Sequence, residues 1–398
     1  MDSETRRAWS WHKQGLDGSL AGSSAADVYS RAGWARSIGG ANPYLTLFAR
    51  AGIRREQADA EAAALRIHEL PTARGCTYVL GQDDFAWALS LGRGPAEAVV
   101  KVLDRLGVER SEVQELENKT LAVLQEAAAK GEGPLDPKEL KDRLGDAVRS
   151  LGEEGKKKGA STTLPTVLGL LQADGRIRRV PVNGRLDQQR YAYTAWGLPP
   201  AAESPEQARA RLMENYLAWT GGATLKQTQW FTAFTVAQSK AALAAAGAVE
   251  SDAVDPDGLW MLPADASAAA DFKTPGEEQI QLLAGSDALF LLRRNASDHV
   301  AEEDRELAIG KEKLALTADL PDHPIVDRGR IIGLWQYDPA RERIANWLFH
   351  APTAAVTRRI AEVEAFIRED LGDFRSFSLD SPASRQKRID ALDAAAGA

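Results

Sequence analysis

A histidine next to a carboxylate can move a proton at neutral pH, and the pair His68-Glu69 stands shortly before Pro71 and the run RGCTYV. The alternative reading of that pair is structural. It would close a helix, where an imidazole gains from the carbonyl end of the dipole. Metal chemistry finds no ligand set. The five histidines, His12, His68, His299, His323 and His350, are scattered, and the single cysteine, Cys76, cannot build a thiolate site. Neither a Walker loop nor a Gly-x-Gly-x-x-Gly run occurs, so no metal and no cofactor is expected. Ser10-Trp11-His12-Lys13 fits a Ser-x-x-Lys pattern but falls in an N-terminal helix and reads as chance.

Clustered cations are the stronger signal. Residues 28–55 carry Arg31, Arg36, Arg50, Arg54 and Arg55 and no acidic side chain, and Arg74 opens the RGCTYV run. Gly39-Gly40 breaks the first cluster ahead of Asn42-Pro43-Tyr44, where glycine allows backbone shapes closed to other residues. A second cluster holds Lys156, Lys157, Lys158, Arg176, Arg178, Arg179, Arg185 and Arg190 against only Asp174 and Asp187. Unpaired cations in groups are the footprint of contact with a phosphate backbone. The plainer alternative is a solvated face. Trp34, inside the first cluster, could stack on an exposed base or pack in a core.

The elements that would carry these residues follow from local pattern. A helix is expected over 5–15. Ser23-Ser24 caps a second helix running to Ala32, and Pro43 starts a third. REQADAEAAALR (55–66) is a helical run by propensity, stopped by Pro71. Residues 76–80 alternate as a short strand, and Asp83 opens the next helix. Two connecting helices fill 95–129. A helix over 136–151 leads through the basic turn GEEGKKKGAS to a helix capped by Ser161 or Thr162. RIRRVPV and QQRYAYTAW then form a hairpin about Asn183-Gly184. After the linker LPPAAESP comes a third set of helices, at 205–219, 226–231 and 235–246, with an acidic hairpin, VESDAVDPDGLWMLP. The last region has strand-like runs at 324–326, 330–337 and 344–349, a helix at 353–371 and a charged tail helix. The expected fold is α+β and mainly helical: tandem winged helix-turn-helix modules with a small C-terminal antiparallel sheet packed by helices. Expected boundaries are 1–94, 95–197, 205–263 and 264–398.

Length and composition limit the alternatives. A chain of 398 residues has room for several cores, and one cysteine excludes an internal disulfide and fits a reducing cytoplasm. The N-terminus, MDSETRRAWSWHKQG, has no apolar run, and no stretch approaches a membrane span, so neither a secretory leader nor a membrane partner is expected. The net charge of −8 places the acidic excess away from any DNA-contacting face.

The segments PYLTLFARAG (43–52), RGCTYV (74–79), Asp83-Asp84 and, near the C-terminus, GRIIGLWQYDP (329–339) resemble the AlkZ/YcaQ-type winged-helix family in identity and order. The resemblance implies double-stranded DNA as partner, a monomer, and DNA N-glycosylase activity on bulky alkylated bases or crosslinks in DNA repair or genotoxin resistance. In that family a Gln-apolar-Gln or Gln-apolar-Asp triplet precedes the Pro-Tyr anchor and positions the attacking water. Here the triplet falls on Arg36, Ser37 and Ile38, so the water would have to be held by another residue, with Asn42, Glu69 and His68 as candidates. The alternative is a winged-helix regulator that binds DNA without cutting it. A scaffold with no nucleic-acid role is the third reading.

Overall fold

The computed structural model describes residues 1–188, 190–309, 311–377 and 380–397. It is a mixed α/β chain, mostly helical, with small sheets. Its contacts divide it into two compact units. The larger is built from residues 1–68, 79–82 and 209–398, and the smaller from 69–78 and 83–208.

In the larger unit the first helices start where the sequence signals them. Ser24 caps the helix Ala25–Ala32 by accepting from the Asp27 amide at 3.1 Å, and Glu61 takes the Ala25 amide at 3.1 Å. Pro43 sits in the first turn of Asn42–Ala51, where a missing N–H costs nothing. The glycine pair before it is required by close approach. Gly40 has φ +55°, and a Cβ there would collide with the carbonyl of Arg375. The expected helix at 55–66 ends sooner, at Ala63, and Leu65 turns the chain with φ +56°. His68-Glu69 therefore lies inside a strand, Ile67–Pro71, and not at a helix end. With Ala35–Arg36 and Thr77–Gly81 it forms a three-stranded sheet, Thr77–Gly81 in the middle.

The C-terminal sheet of this unit has the order Arg343–Leu348, Arg330–Asp338, His323–Asp327, Ile280–Leu282, every pair antiparallel. Trp11 from the first helix, Phe290, Leu334 and Leu392 from the tail helix share one core beside it. The helical stretch expected at 353–371 is an α-helix over Ala354–Phe366 that widens into a π turn, Ile367–Leu371. The acidic hairpin pairs Val249–Ser251 with Leu259–Met261.

In the smaller unit Asp83 lies in a 3-10 turn, Gln82–Asp84, and one helix, Phe85–Asp104, continues through Pro95. Arg110–Ala129 follows. The helix expected over 136–151 stops at Leu144, where Gly145 takes φ +53°. The expected basic turn contains a short helix, Gly152–Lys157. Thr163, not Ser161 or Thr162, occupies the cap position of Leu164–Ala173, and it makes no side-chain cap bond. The hairpin pairs Ile177–Pro181 with Tyr191–Ala195, in the register Arg178 to Thr194 and Arg179 to Tyr193. Gln189, part of the expected second run, lies outside the described residues. Val113, Leu116, Val167, Leu171, Ile177 and Tyr193 form the core beneath this hairpin.

Candidate nucleic-acid interface

A cation can meet a phosphate only if its charge is neither buried nor neutralised, so each predicted residue is placed by its partners. In the larger unit Arg31 ends the helix Ala25–Ala32, exposed, with no ion pair among the described residues. Arg36 is half-buried in the short strand Ala35–Arg36. Arg50 corrects the expectation. Its side chain is 0 % exposed and forms a two-pronged ion pair with Asp287, at 2.9 and 2.8 Å. Asp287 is 237 positions away, so the local lack of acids gave no warning of it. Arg54 is likewise engaged, with Glu369 at 3.0 Å and Asp370 at 2.5 Å, and the Asp370 bond holds its pKa above the ordinary arginine value. Arg55 leans on Asp59 at 3.7 Å. Trp34 is a core residue, 1 % exposed and edge-on to Trp219 at 5.3 Å, and does not face a base.

The candidates for holding water are engaged as well. Asn42 is 1 % exposed; its Nδ2 donates to the Arg36 carbonyl at 3.1 Å and its Oδ1 accepts from Thr46 Oγ1 at 3.5 Å. It serves the turn rather than the solvent. Ser37, in the middle of the triplet's place, is fully buried. His68 and Glu69 are both covered by the sheet around them. Glu69 Oε1 accepts from Tyr191 at 2.9 Å and from Arg179 at 3.4 Å. This makes Glu69 an anchor for the hairpin of Arg179 and Tyr191, and not an open base.

That anchor sorts the cations of the smaller unit. Arg179 lies flat over the Tyr191 ring, 4.8 Å from its centre, while holding Glu69. Burial works against its charge, but Tyr193 and Glu69 keep its pKa above the usual value. Burial, then Glu69, pushes the Tyr191 hydroxyl upward, so Tyr191 stays a neutral donor. Arg185 is closed by Asp187 through two bonds, at 2.8 and 2.5 Å, and Lys156 is paired with Glu153 at 2.7 Å. These three are corrections to a reading in which every cation of the cluster was open.

The other five cations of this cluster form no ion pair among the described residues. Arg178 points to the strand face opposite Arg179, by the two-residue period. It is half-buried, and desolvation alone lowers its pKa, with no carboxylate to offset it. Arg176 precedes it, half-buried. Arg190, Lys157 and Lys158 are exposed, and none of these four has an ion pair among the described residues. Arg74, with φ +61°, is exposed at the turn between the strands Ile67–Pro71 and Thr77–Gly81. A half-desolvated guanidinium can take a phosphate at less cost than a fully hydrated one. Sequence reasoning missed Tyr191, whose role shows only in the alternation of Tyr191, Tyr193 and Ala195 along the second strand. Among the described residues there is no group of acidic, histidine or cysteine side chains that could hold a metal, and no helix is long and apolar enough to cross a membrane.

Comparison with known proteins gives the family and the fold. A family model described as "DNA glycosylase AlkZ-like" matches residues 35–374. The solved structure of Streptomyces sahachiroi DNA glycosylase AlkZ is similar in fold, with a TM-score of 0.68 at 20% identity, covering 92% of this chain and 96% of that one. No curated protein matches the chain.

Proposed function

We propose a function from one premise: the chain belongs to the AlkZ-like DNA glycosylase family. It acts in DNA repair by binding duplex DNA that carries bulky alkylated bases or crosslinks. Its two helix-helix-helix-hairpin runs of the N-terminal half, and the third after residue 205, serve as winged-helix modules. The observation that carries the binding role is Arg178, a guanidinium without a carboxylate partner on the hairpin that also carries exposed Arg190. The reaction class of the family is hydrolysis of the bond between base and sugar by water. A protruding bulky adduct needs less extrusion from the stack than a small lesion does.

A second reading, binding without base release, is favoured by the residues at the triplet's place. Arg36, Ser37 and Ile38 bring no glutamine, and Asn42, His68 and Glu69 are buried and engaged. Single-turnover assays with excess protein on an N7-alkylated duplex separate the two. Base release above the rate without protein supports the glycosylase. Saturable binding of the same duplex with no release supports the second reading, and no binding at all removes both.

The contact itself is testable. Arg178→Ala with Arg190→Ala should weaken duplex binding about tenfold at moderate salt, equally for all sequences, and lower the salt slope by about one for each lost phosphate contact. Arg185→Ala, whose charge is already closed by Asp187, should change the salt slope little. Equal effects of the two would move the contact away from the hairpin.

A further inference from the structure

The larger unit holds a cavity of about 470 Å³ against its N-terminal helix. Ser3, Arg6, Arg7 and Ser10 line it. They occupy positions i, i+3, i+4 and i+7 of Ser3–Lys13 and so share one helix face. A packed helix normally turns its apolar stripe to the core. This one does so with Ala8 and Trp11 and gives a second inward face to hydroxyls and guanidinia.

Two cations on this wall lack a carboxylate. Arg6 is neutralised by Asp255 at 2.5 Å. Arg293, also lining the cavity, donates from Nη2 to Ser10 Oγ at 2.6 Å and to the Thr220 carbonyl at 2.9 Å, both neutral acceptors. Neither Arg293 nor Arg7 has an ion pair among the described residues, and burial is the first cause lowering both their pKa values. A guanidinium cannot shed its proton, so a desolvated one is stabilised by an anion. The acids of the wall are mostly committed elsewhere. Besides Asp255, Glu302 faces Arg305 at 3.7 Å and Glu303 holds Arg330 at 2.9 Å. Asp298, which takes the Asn295 amide at 3.1 Å, is the exception. Four arginines face four carboxylates on this wall, and Arg293 and Arg7 are the two arginines without an ion pair among the described residues.

Two further groups converge on the same space. The eight-residue helix Leu225–Thr232 begins at its wall, with Thr224 and Gln227 among the lining residues, and a helix start favours an anion. His299, 2 % exposed, has its Nδ1 2.7 Å from the Gly329 carbonyl. Nδ1 therefore carries the hydrogen, and Nε2 is an acceptor with no hydrogen-bond partner.

We propose that this cavity binds a small hydroxylated phosphate monoester of nucleotide size, its phosphate on Arg293 and Arg7 and a hydroxyl donated to His299. The volume falls in the range of small-ligand pockets. The site is separate from the hairpin proposed above to bind DNA.

Isothermal titration of the whole chain with deoxyadenosine 5′-monophosphate, inorganic phosphate and deoxyadenosine tests this. The expected result is one saturable site for the monophosphate, about tenfold tighter than inorganic phosphate, with no binding of the nucleoside. Arg293→Gln should weaken it about tenfold and Arg7→Gln several-fold, whereas Arg178→Ala with Arg190→Ala should leave it unchanged. Absence of saturable binding, equal affinity for inorganic phosphate, or unchanged affinity in Arg293→Gln would each overturn the assignment. If Arg293→Gln fails to fold by circular dichroism, Arg7→Gln decides by the same criterion.

Discussion

Asp287→Ala is expected to destabilise the chain by about 3–5 kcal/mol, because it strands a guanidinium that has no water to return to. Arg50 and Asp287 have side-chain exposures of 0 % and 1 %. Arg50 spends its remaining donors on Gln14, from Nε to the carbonyl and from Nη2 to Oε1, both at 2.9 Å, and from Nη1 on the Thr46 carbonyl at 3.5 Å. Asp287 also takes the Leu289 amide at 2.9 Å and the Thr46 hydroxyl at 3.3 Å. Thr46 in turn reaches Asn42, and Asn42 reaches the Arg36 carbonyl. The pair therefore anchors the turn at residues 36–42, and its loss should loosen that turn as well as the unit. Urea unfolding checks the magnitude. Asp287→Asn, which keeps the shape and half of the acceptors, should fall between wild type and alanine. Arg50→Met with Asp287→Leu should recover much of the loss, because an apolar pair leaves no charge stranded. A loss below about 1 kcal/mol for Asp287→Ala would mean that the pair is solvated.

Acid should weaken the fold well above the carboxylate range. His299 and His323 are buried, and burial pulls their pKa values to about 4 and about 3. Arg385 adds to the effect at His323; Arg293 and Arg7 add to it at His299, with the bond to the Gly329 carbonyl and then Asp298 opposing. A histidine depressed in the folded state takes up its proton first in the unfolded chain. Stability is then complete above the unfolded value near 6.5 and falls as pH drops toward the folded values. Between pH 7 and 5 each histidine costs about 2 kcal/mol, together about 4. The two hold opposite tautomers. His323 Nδ1 accepts from the Gly285 amide at 2.9 Å, whereas His299 Nδ1 donates to Gly329. His323→Asn, which keeps an acceptor near Gly285, should remove about half of the pH dependence. A urea midpoint that does not move between pH 7 and 5 would contradict this account.

Local chemistry made much of the chain readable. Ser24, Pro43 and Asp136 mark helix starts because a cap or a fixed φ acts over a few residues. The hairpin about Asn183-Gly184 was legible for the same reason. His68-Glu69 was not. Its strand is buried on both faces, from Ile67 to Leu70, so no alternation betrays it, and the preceding helical run hides the reversal at Leu65. The cations failed differently. Their types and clustering are visible, but Arg50, Arg54 and Arg179 are neutralised by Asp287, Asp370 and Glu69, acids that neighbour them only after folding. Arg178 and Arg185, seven positions apart, look alike in sequence, and one buried aspartate separates their fates.

Because the larger unit takes its residues from both ends of the chain, it must be completed late. Trp11 and Leu392 share a core although nearly the whole polypeptide lies between them. On the ribosome the first helix emerges with its tryptophans and waits, while residues 83–208 gather their own apolar partners. Trp9 finds its partners at residues 254–272, but the core around Trp11 closes only when the tail helix leaves the exit tunnel. A nascent chain stalled before its final turns would thus display an apolar N-terminus to chaperones and proteases, whereas its middle would already be closed to them.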